Sequence, residues 1–263
     1  MISCDLNCDM GEGIGNDEEI MPFITSANIA CGYHAGDETT MRDTVILAKK
    51  AGVAIGAHPS FLDKENFGRT EMNDVSAQQV YELVTEQIRI LHKIVVECNA
   101  VLHHVKPHGA LYNMAARDAQ LSRAIAQAVY DYDKNLVLFG LSGSHLISEA
   151  KSVGLTTASE VFADRTYQDD GKLTPRSKPN ALIEDEEQAL QQVLQMVKQG
   201  TVISTSAKEI AIVAETVCLH GDGKNAVAFA GTINKRLKEE NVRLEAVSPK
   251  PLKGLLKGLN ADN

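Results

Sequence analysis

A single β/α barrel is the fold class that this sequence predicts, and three observations carry the prediction. Short apolar or β-branched runs alternate with longer amphipathic stretches, the pattern of parallel strands joined by crossover helices. The alternation runs through the 263 residues without a repeat, a low-complexity tract or a linker, so residues 1–263 are expected to form one domain. Nearly every expected strand also ends in residues able to do chemistry, and a barrel gathers the carboxyl ends of its strands on one face. A doubly wound open sheet is the alternative arrangement of the same units.

Seven strands are expected, near residues 2–7, 26–31, 53–58, 101–107, 136–141, 156–161 and 216–220. Helical patterns occupy 38–51, 76–98, 118–132, 144–153, 184–199 and 225–240. The clearest is 76–98, where Asp74 to Ser76 supply capping oxygens and Val80, Leu83, Val84, Ile88, Leu91 and Val95 form one apolar stripe. Val202-Ile203 and Ile210 to Val213 flank a polar stretch, for which a hairpin is the favoured reading and another βα unit the alternative. Residues 164–181 contain Asp169-Asp170-Gly171, Pro175 and Pro179 with almost no apolar periodicity, and are expected to form a long loop acting as an active-site lid.

Composition narrows the class. A chain that is 44% hydrophobic and 23% charged fits a soluble domain. The net charge of -9, with no basic run, lacks the electrostatic footprint of a nucleic-acid binder. No stretch approaches the roughly 20 apolar residues that cross a bilayer. The N-terminus opens on Asp5 and Asp9 where a signal peptide would be basic and then apolar, so a cytoplasmic location with no membrane partner is expected. Cys4, Cys8, Cys31, Cys98 and Cys218 are odd in number and form no C-x-x-C pair, which reads as reduced, buried thiols.

The polar residues fall in register with the strands. Asp5, Asn7 and Asp9 close the first; Asn28 and His34 follow the second; His58 ends the third. Lys106 and His108 end the fourth, Glu160, Asp164 and Arg165 end or follow the sixth, and His220 and Asp222 close the last. Any one of them alone reads as a satisfied core histidine, a cap or a surface charge. Repeated at the same end of successive apolar strands, they would be costly to bury without partners, and convergence on one face is the reading that joins them.

Familiar cofactor signatures are missing. Gly11-Glu12-Gly13-Ile14-Gly15 has Asn16 where the dinucleotide pattern needs glycine. Gly223-Lys224 has Cys218 in place of the first P-loop glycine and Asn225 in place of Ser or Thr. Gly140-Leu141-Ser142-Gly143 only partly imitates a nucleophile elbow. Asp5, Asp9, His34 and His58 are candidate metal ligands, with His108 and His220 carrying further imidazoles, but no histidine pair has the spacing of a helical zinc motif. Whether a metal binds is left open.

The chain resembles the LamB/YcsF-type family. The matching stretches are Asp5-Leu-Asn-Cys-Asp9-Met-Gly-Glu12, Ser26-Ala-Asn-Ile-Ala-Cys-Gly32, Tyr33-His34-Ala-Gly-Asp37 and Ile55-Gly-Ala-His58-Pro-Ser60. They continue through Phe67-Gly-Arg69, Val105-Lys106-Pro-His108-Gly-Ala-Leu-Tyr-Asn113, Glu160-Val-Phe-Ala-Asp164-Arg165, Asp170-Gly-Lys-Leu-Thr-Pro-Arg176 and Leu219-His220-Gly-Asp222. Two departures from the family pattern lie in loops: Gly223-Lys224 stand where a small hydroxyl residue and proline are usual, and Asn180 where glycine is usual.

The resemblance implies an irregular, seven-stranded barrel like that of polysaccharide deacetylases and related glycoside enzymes. It also implies ATP-dependent opening of 5-oxo-L-proline to L-glutamate in a complex with subunits B and C. Without a nucleotide cradle here, ATP and its Mg are expected mainly on the partners. Asp9, His58, Lys106, His108 and Glu160 are the expected catalytic residues, with Asp9 or Glu160 as base and the cationic side chains stabilising developing negative charge. Asn7, Asn28, His34, Arg69, Arg165, Arg176, His220 and Asp222 are the expected substrate-binding set, an arginine pairing bidentately with the substrate carboxylate. A stand-alone metal-dependent deacetylase or amidase and a non-catalytic binding subunit are the rival readings. Self-association is left open.

Overall fold

The computed structural model describes residues 2–219 and 225–249. Seven parallel strands close into a barrel: β1 (Ser3–Met10), β2 (Ser26–Ala30), β3 (Ala54–His58), β4 (Leu102–Val105), β5 (Val137–Leu141), β6 (Thr156–Phe162) and, after a short hairpin of β7 (Thr201–Ile203) and β8 (Glu209–Ala211), β9 (Thr216–Leu219). The ring closes because β9 pairs on one side with β6 and on the other with β1, so that Thr216 stands level with both Glu160 and Asp5. This is the barrel expected from the sequence rather than the open sheet. β7 and β8 pair antiparallel, the hairpin favoured for that segment.

Helices cover the outside: α1 (Asp17–Ile20), α2 (Glu38–Ala51), α3 (Ala77–Glu97), α4 (Gly109–Arg117), α5 (Ala119–Tyr132), α6 (His145–Val153), α7 (Glu186–Gln199) and α8 (Ala226–Glu239). In α3 the Ser76 side chain accepts from the Gln79 amide while the Gln79 side chain accepts from the Ser76 amide, satisfying two end donors reciprocally. Val80, Val84, Ile88, Leu91 and Val95 are fully buried on its inner face, as the stripe predicts, while Leu83 at its margin is half-buried.

Three elements are not anticipated by the sequence patterning. α4 has no side-chain cap at His108; the Ala110 amide is instead satisfied by the Gly68 carbonyl, a partner 42 positions back in the chain. α1, continued by a single 3-10 turn over Met21–Phe23, is too short to carry a periodicity. β10 (Arg243–Leu244) adds two residues beside β1, on the edge that β2 occupies further along, with Ile2 and Cys4 carbonyls accepting from Arg243 and Glu245. β1 also runs on to Met10, three residues past its expected end, because Asp9 and Met10 pair with Asn28 and Ile29.

The alternation in β1 sorts two kinds of interior. Cys4, Leu6, Cys8 and Met10 enter the apolar layer beneath the helices, whereas Asp5, Asn7 and Asp9 turn toward the barrel axis. The axis is therefore polar and densely hydrogen-bonded. Gly56 permits part of this packing: a Cβ there would lie 2.1 Å from His104 Nε2, so only glycine lets the His104 ring reach over β3 to Asn28 on β2. That ring stacks on Phe139, with centroids 4.3 Å apart.

Candidate active site

Lys106 is the hub of the site. It follows β4 directly, and its ammonium lies 2.8 Å from Asp9 Oδ1, 2.9 Å from Glu160 Oε1, 3.1 Å from Asn7 Oδ1 and 3.2 Å from Cys218 Sγ. Its side chain is 3% exposed. Burial alone would favour the neutral amine, but the charges of Asp9 and Glu160 outweigh it and hold the ammonium well above the usual lysine range. Asp9 answers in kind: burial pushes its carboxyl up, while His58 and Lys106 together hold it well below the ordinary carboxylate range. The pair is thus ionised at neutral pH.

Two amides fix this pair from beneath. Asn28 Nδ2 donates to Asn7 Oδ1 and to Asp9 Oδ1, each at 2.8 Å, and Asn28 Oδ1 accepts from His104 Nε2. Asn7 Nδ2 donates to Glu160 Oε1 and Thr216 Oγ1. Both amides are fully buried with their polar atoms spent within the barrel, which makes them positioning residues for Asp9, Lys106 and Glu160. Asp5 lies deeper, where its carboxylate accepts from the hydroxyls of Thr25, Ser26 and Thr216. Desolvation raises its pKa to about 6 against those hydrogen bonds.

A second cluster borders Asp9. His58 ends β3 and places Nε2 3.2 Å from Asp9 Oδ2 and 2.8 Å from His108 Nδ1. His34 stacks on His108 at 3.9 Å, nearly parallel, and both rings meet His58 edge-on. Glu12 Oε1 lies 3.4 Å from His34 Nε2 and 3.7 Å from His108 Nδ1. Burial holds His34 well below the usual imidazole range and His108 at about 3. The turn after β3 is held rigidly, since the Gln87 side chain of α3 accepts from the Ser60 amide and donates to the Ser60 carbonyl. Gly68, at φ +66°, closes over it: a Cβ there would lie 2.2 Å from Ser60 Oγ and 2.9 Å from His34 Cβ.

A cavity of about 530 Å³ opens above these groups, with Asp9, Glu12, His58, Lys106 and His108 in its wall. Arg69 and Arg176 line it, and the segment Lys172 to Ser177 forms part of its rim. Arg165 lines it too, but its guanidinium donates to the Ala181 and Thr174 carbonyls and so braces the 164–181 loop. Glu160, Asn7, Asn28, His34 and Asp5 lie behind the wall. Of the expected metal ligands, His34 and His58 come together and Asp9 borders them, while Asp5 is bound to its three hydroxyls. His220 and Asp222 lie outside the described residues.

Sequence reasoning left several contributors unassigned. Glu12 stands in a glycine-rich stretch and closes the first family-matching segment, with no role assigned; Gly11 and Gly13 take positive φ, and Asp17 accepts from the Gly11 amide, which folds Glu12 back to the mouth. His104 sits within β4, and no local signal in the sequence marks its bond to Asn28. Tyr112 and Phe162 line the cavity from α4 and β6, and their apolar surroundings in the sequence read simply as core.

A parallel β/α barrel with an acid–base–lysine centre at its mouth defines the class of protein. The chain belongs to the LamB/YcsF family, whose model matches residues 4–251. It is 53% identical over 251 residues to the 5-oxoprolinase A subunit of Brevibacillus brevis, covering 94% of this chain and 98% of that protein. The crystal structure of a lactam utilization protein from Thermus thermophilus is similar at 41% identity and a TM-score of 0.87, covering 94% of this chain and all of that one. A family 4 carbohydrate esterase from Streptomyces lividans, at 13% identity and a TM-score of 0.50 over 94% of each chain, shares the fold alone. Among the described residues no helix is long and apolar enough to cross a membrane.

Proposed function

We propose that this chain is the lactam-binding, water-activating subunit of an ATP-dependent 5-oxoprolinase, opening 5-oxo-L-proline to L-glutamate as ATP becomes ADP and phosphate. The observation that carries the reading is Lys106, buried between Asp9 and Glu160 at the floor of a cavity walled by arginines. A five-membered lactam is a poor electrophile because its nitrogen donates into the carbonyl. Phosphorylation of the amide oxygen makes that carbon attackable, and with no nucleotide cradle in this sequence, subunits B and C carry ATP and its Mg.

In this scheme Asp9 takes the proton of the attacking water and passes it to the ring nitrogen, and the C–N bond breaks as the intermediate collapses to an acyl phosphate. A second water releases glutamate and phosphate, with Lys106, His58 and His108 stabilising charge on the tetrahedral intermediate and its phosphate. Glu160 holds Lys106 from below. Arg69 or Arg176 pairs with the substrate carboxylate, and the 164–181 loop acts as a lid braced by Arg165. The cavity exceeds what the lactam alone needs, which leaves room for the phosphoryl group. The five free cysteines, four of them buried, suit a reducing cytoplasm.

The test is glutamate formation from 5-oxoproline by the chain alone and with subunits B and C, each with and without ATP. Turnover confined to the full mixture with ATP is expected, lost by about 10²–10⁴-fold in Asp9→Asn, Lys106→Ala and His108→Ala. ATP-independent turnover by the isolated chain, or full activity in all three variants, refutes the proposal.

A further inference from the structure

We infer that Glu12, His34, His58 and His108 form a binding site for one divalent transition metal ion of the zinc type. The argument begins with where the ring protons must be. His58 Nδ1 lies 2.7 Å from the Lys106 carbonyl and His108 Nε2 lies 2.9 Å from the Phe67 carbonyl. A carbonyl oxygen only accepts, so each of these nitrogens carries its ring's N–H. With both rings neutral, the remaining nitrogens, His58 Nε2 and His108 Nδ1, carry lone pairs and face one another at 2.8 Å, with Asp9 Oδ2 3.2 Å from the first. Acceptors so placed require a cation, either a proton on one of the rings or a metal ion.

The neighbours extend the same demand. Glu12 Oε1 is 3.7 Å from His108 Nδ1 and 3.4 Å from His34 Nε2. The His34 Nδ1 is buried with no hydrogen-bond partner. One donor atom from each of the four residues falls within 4.8 Å of every other. A proton on His58 Nε2 answers only its contacts with His108 and Asp9 and leaves His34 and Glu12 aside. A metal answers all four groups at once, and three imidazoles with one carboxylate are a donor set that zinc takes tetrahedrally. Bonds of roughly 2.0–2.1 Å place tetrahedral donors about 3.3 Å apart, so His58 and His108 need part by only about 0.5 Å.

The outer contacts fit as well. Metal-bound histidines usually donate their other N–H to a carbonyl or carboxylate, which fixes ring orientation, and His58 and His108 already do so. Asp9 Oδ2, 3.2 Å from His58 Nε2, adds negative charge at the edge of the site and is itself held by Lys106. An ion here supplies, as a Lewis acid, the positive charge that the proposed reaction asks of His58 and His108. The site does not depend on that reaction being the right one.

The full chain, stripped with a chelator and dialysed, is titrated with ZnCl2 by calorimetry, with MgCl2 as the control, and with CoCl2 followed by visible absorption. One zinc per chain, no comparable magnesium binding and the intense visible bands of four-coordinate cobalt are expected. His108→Gln and Glu12→Gln weaken zinc binding by more than about 100-fold, with circular dichroism checking that each remains folded. If His108→Gln does not fold, Glu12→Gln at the cavity wall and the wild-type cobalt spectrum decide. No zinc binding, six-coordinate cobalt, or zinc affinity unchanged in folded Glu12→Gln overturns the site. Because binding is read without ATP or lactam, its failure leaves the proposed reaction standing, and loss of ATP-dependent turnover leaves the metal site standing.

Discussion

Replacing Lys106 with methionine isolates what the buried ammonium does. The variant keeps the length and apolar stem of the side chain and removes the charge that lies 2.8 Å from Asp9 and 2.9 Å from Glu160. Removing one partner of a buried ion pair typically costs about 3–5 kcal/mol, because the remaining charge is stranded. Here the cost has a pH signature. In the wild type the depressed Asp9 pKa contributes stability that is complete above the unfolded value and is lost only as pH falls through the lower folded value, so it is constant between pH 5 and 7. In the variant, two carboxylates share a dry site and one of them titrates upward. Its penalty is absent below the unfolded pKa and grows as pH rises, by about 1.4 kcal/mol per pH unit until the raised folded pKa is passed. Guanidinium unfolding followed by far-ultraviolet circular dichroism, with chelator present, should show a deficit of about 3–5 kcal/mol at pH 7 that shrinks by about 2–3 kcal/mol at pH 5. Lys106→Met/Glu160→Gln should regain part of the loss at pH 7. A deficit below about 1 kcal/mol, or one that does not change with pH, would refute the assignment of Lys106 as the counter-ion of both acids.

Three further outcomes are expected. Asp5, fully buried and raised to about 6, is more readily protonated folded than unfolded, so its contribution to stability declines as pH rises from about 4 to 6 by about 3 kcal/mol and is flat above; the wild-type minus Asp5→Asn difference in unfolding free energy should trace that decline, and a pH-independent difference would contradict it. Gly56→Ala places a Cβ 2.1 Å from His104 Nε2 and should destabilise the fold by about 1–3 kcal/mol while loosening Asn28, whereas unchanged thermal stability would show that the ring has somewhere else to go. Arg165→Met frees the Thr174 and Ala181 carbonyls, so hydrogen exchange across 164–181 should speed up and KM should rise more than kcat falls; unaltered exchange would remove Arg165 from the role of loop brace.

Much of the fold is written in local patterning. The α3 stripe and its Ser76 cap, the crossover rhythm and the hairpin at 201–211 depend on neighbours a few positions apart, and short-range periodicity records them. The residues at the strand ends were legible for a related reason: Asp9, His58, Lys106 and His108 interrupt apolar runs at one recurring phase, and a parallel barrel turns that phase into one face. The alternation Asp5-Asn7-Asp9 was also visible, but its depth was not. It runs along the axis instead of gathering at the mouth, so its first two members scaffold the third.

The sequence by itself determined the order of the barrel strands and their long crossover helices, the family and the group of residues that converge. Only the tertiary structure decided which of them meet and in what state. Helix α4 exists at its observed start because a carbonyl from the 60s loop caps it, and Glu12 joins the histidines because Asp17 folds its loop back. Lys106 keeps its charge in a dry barrel because carboxylates distant in sequence surround it. Local propensity depends on residues a few positions apart, whereas charge state, ligand geometry and access depend on groups brought within about 4 Å by the closure of the ring, and no linear pattern encodes those distances.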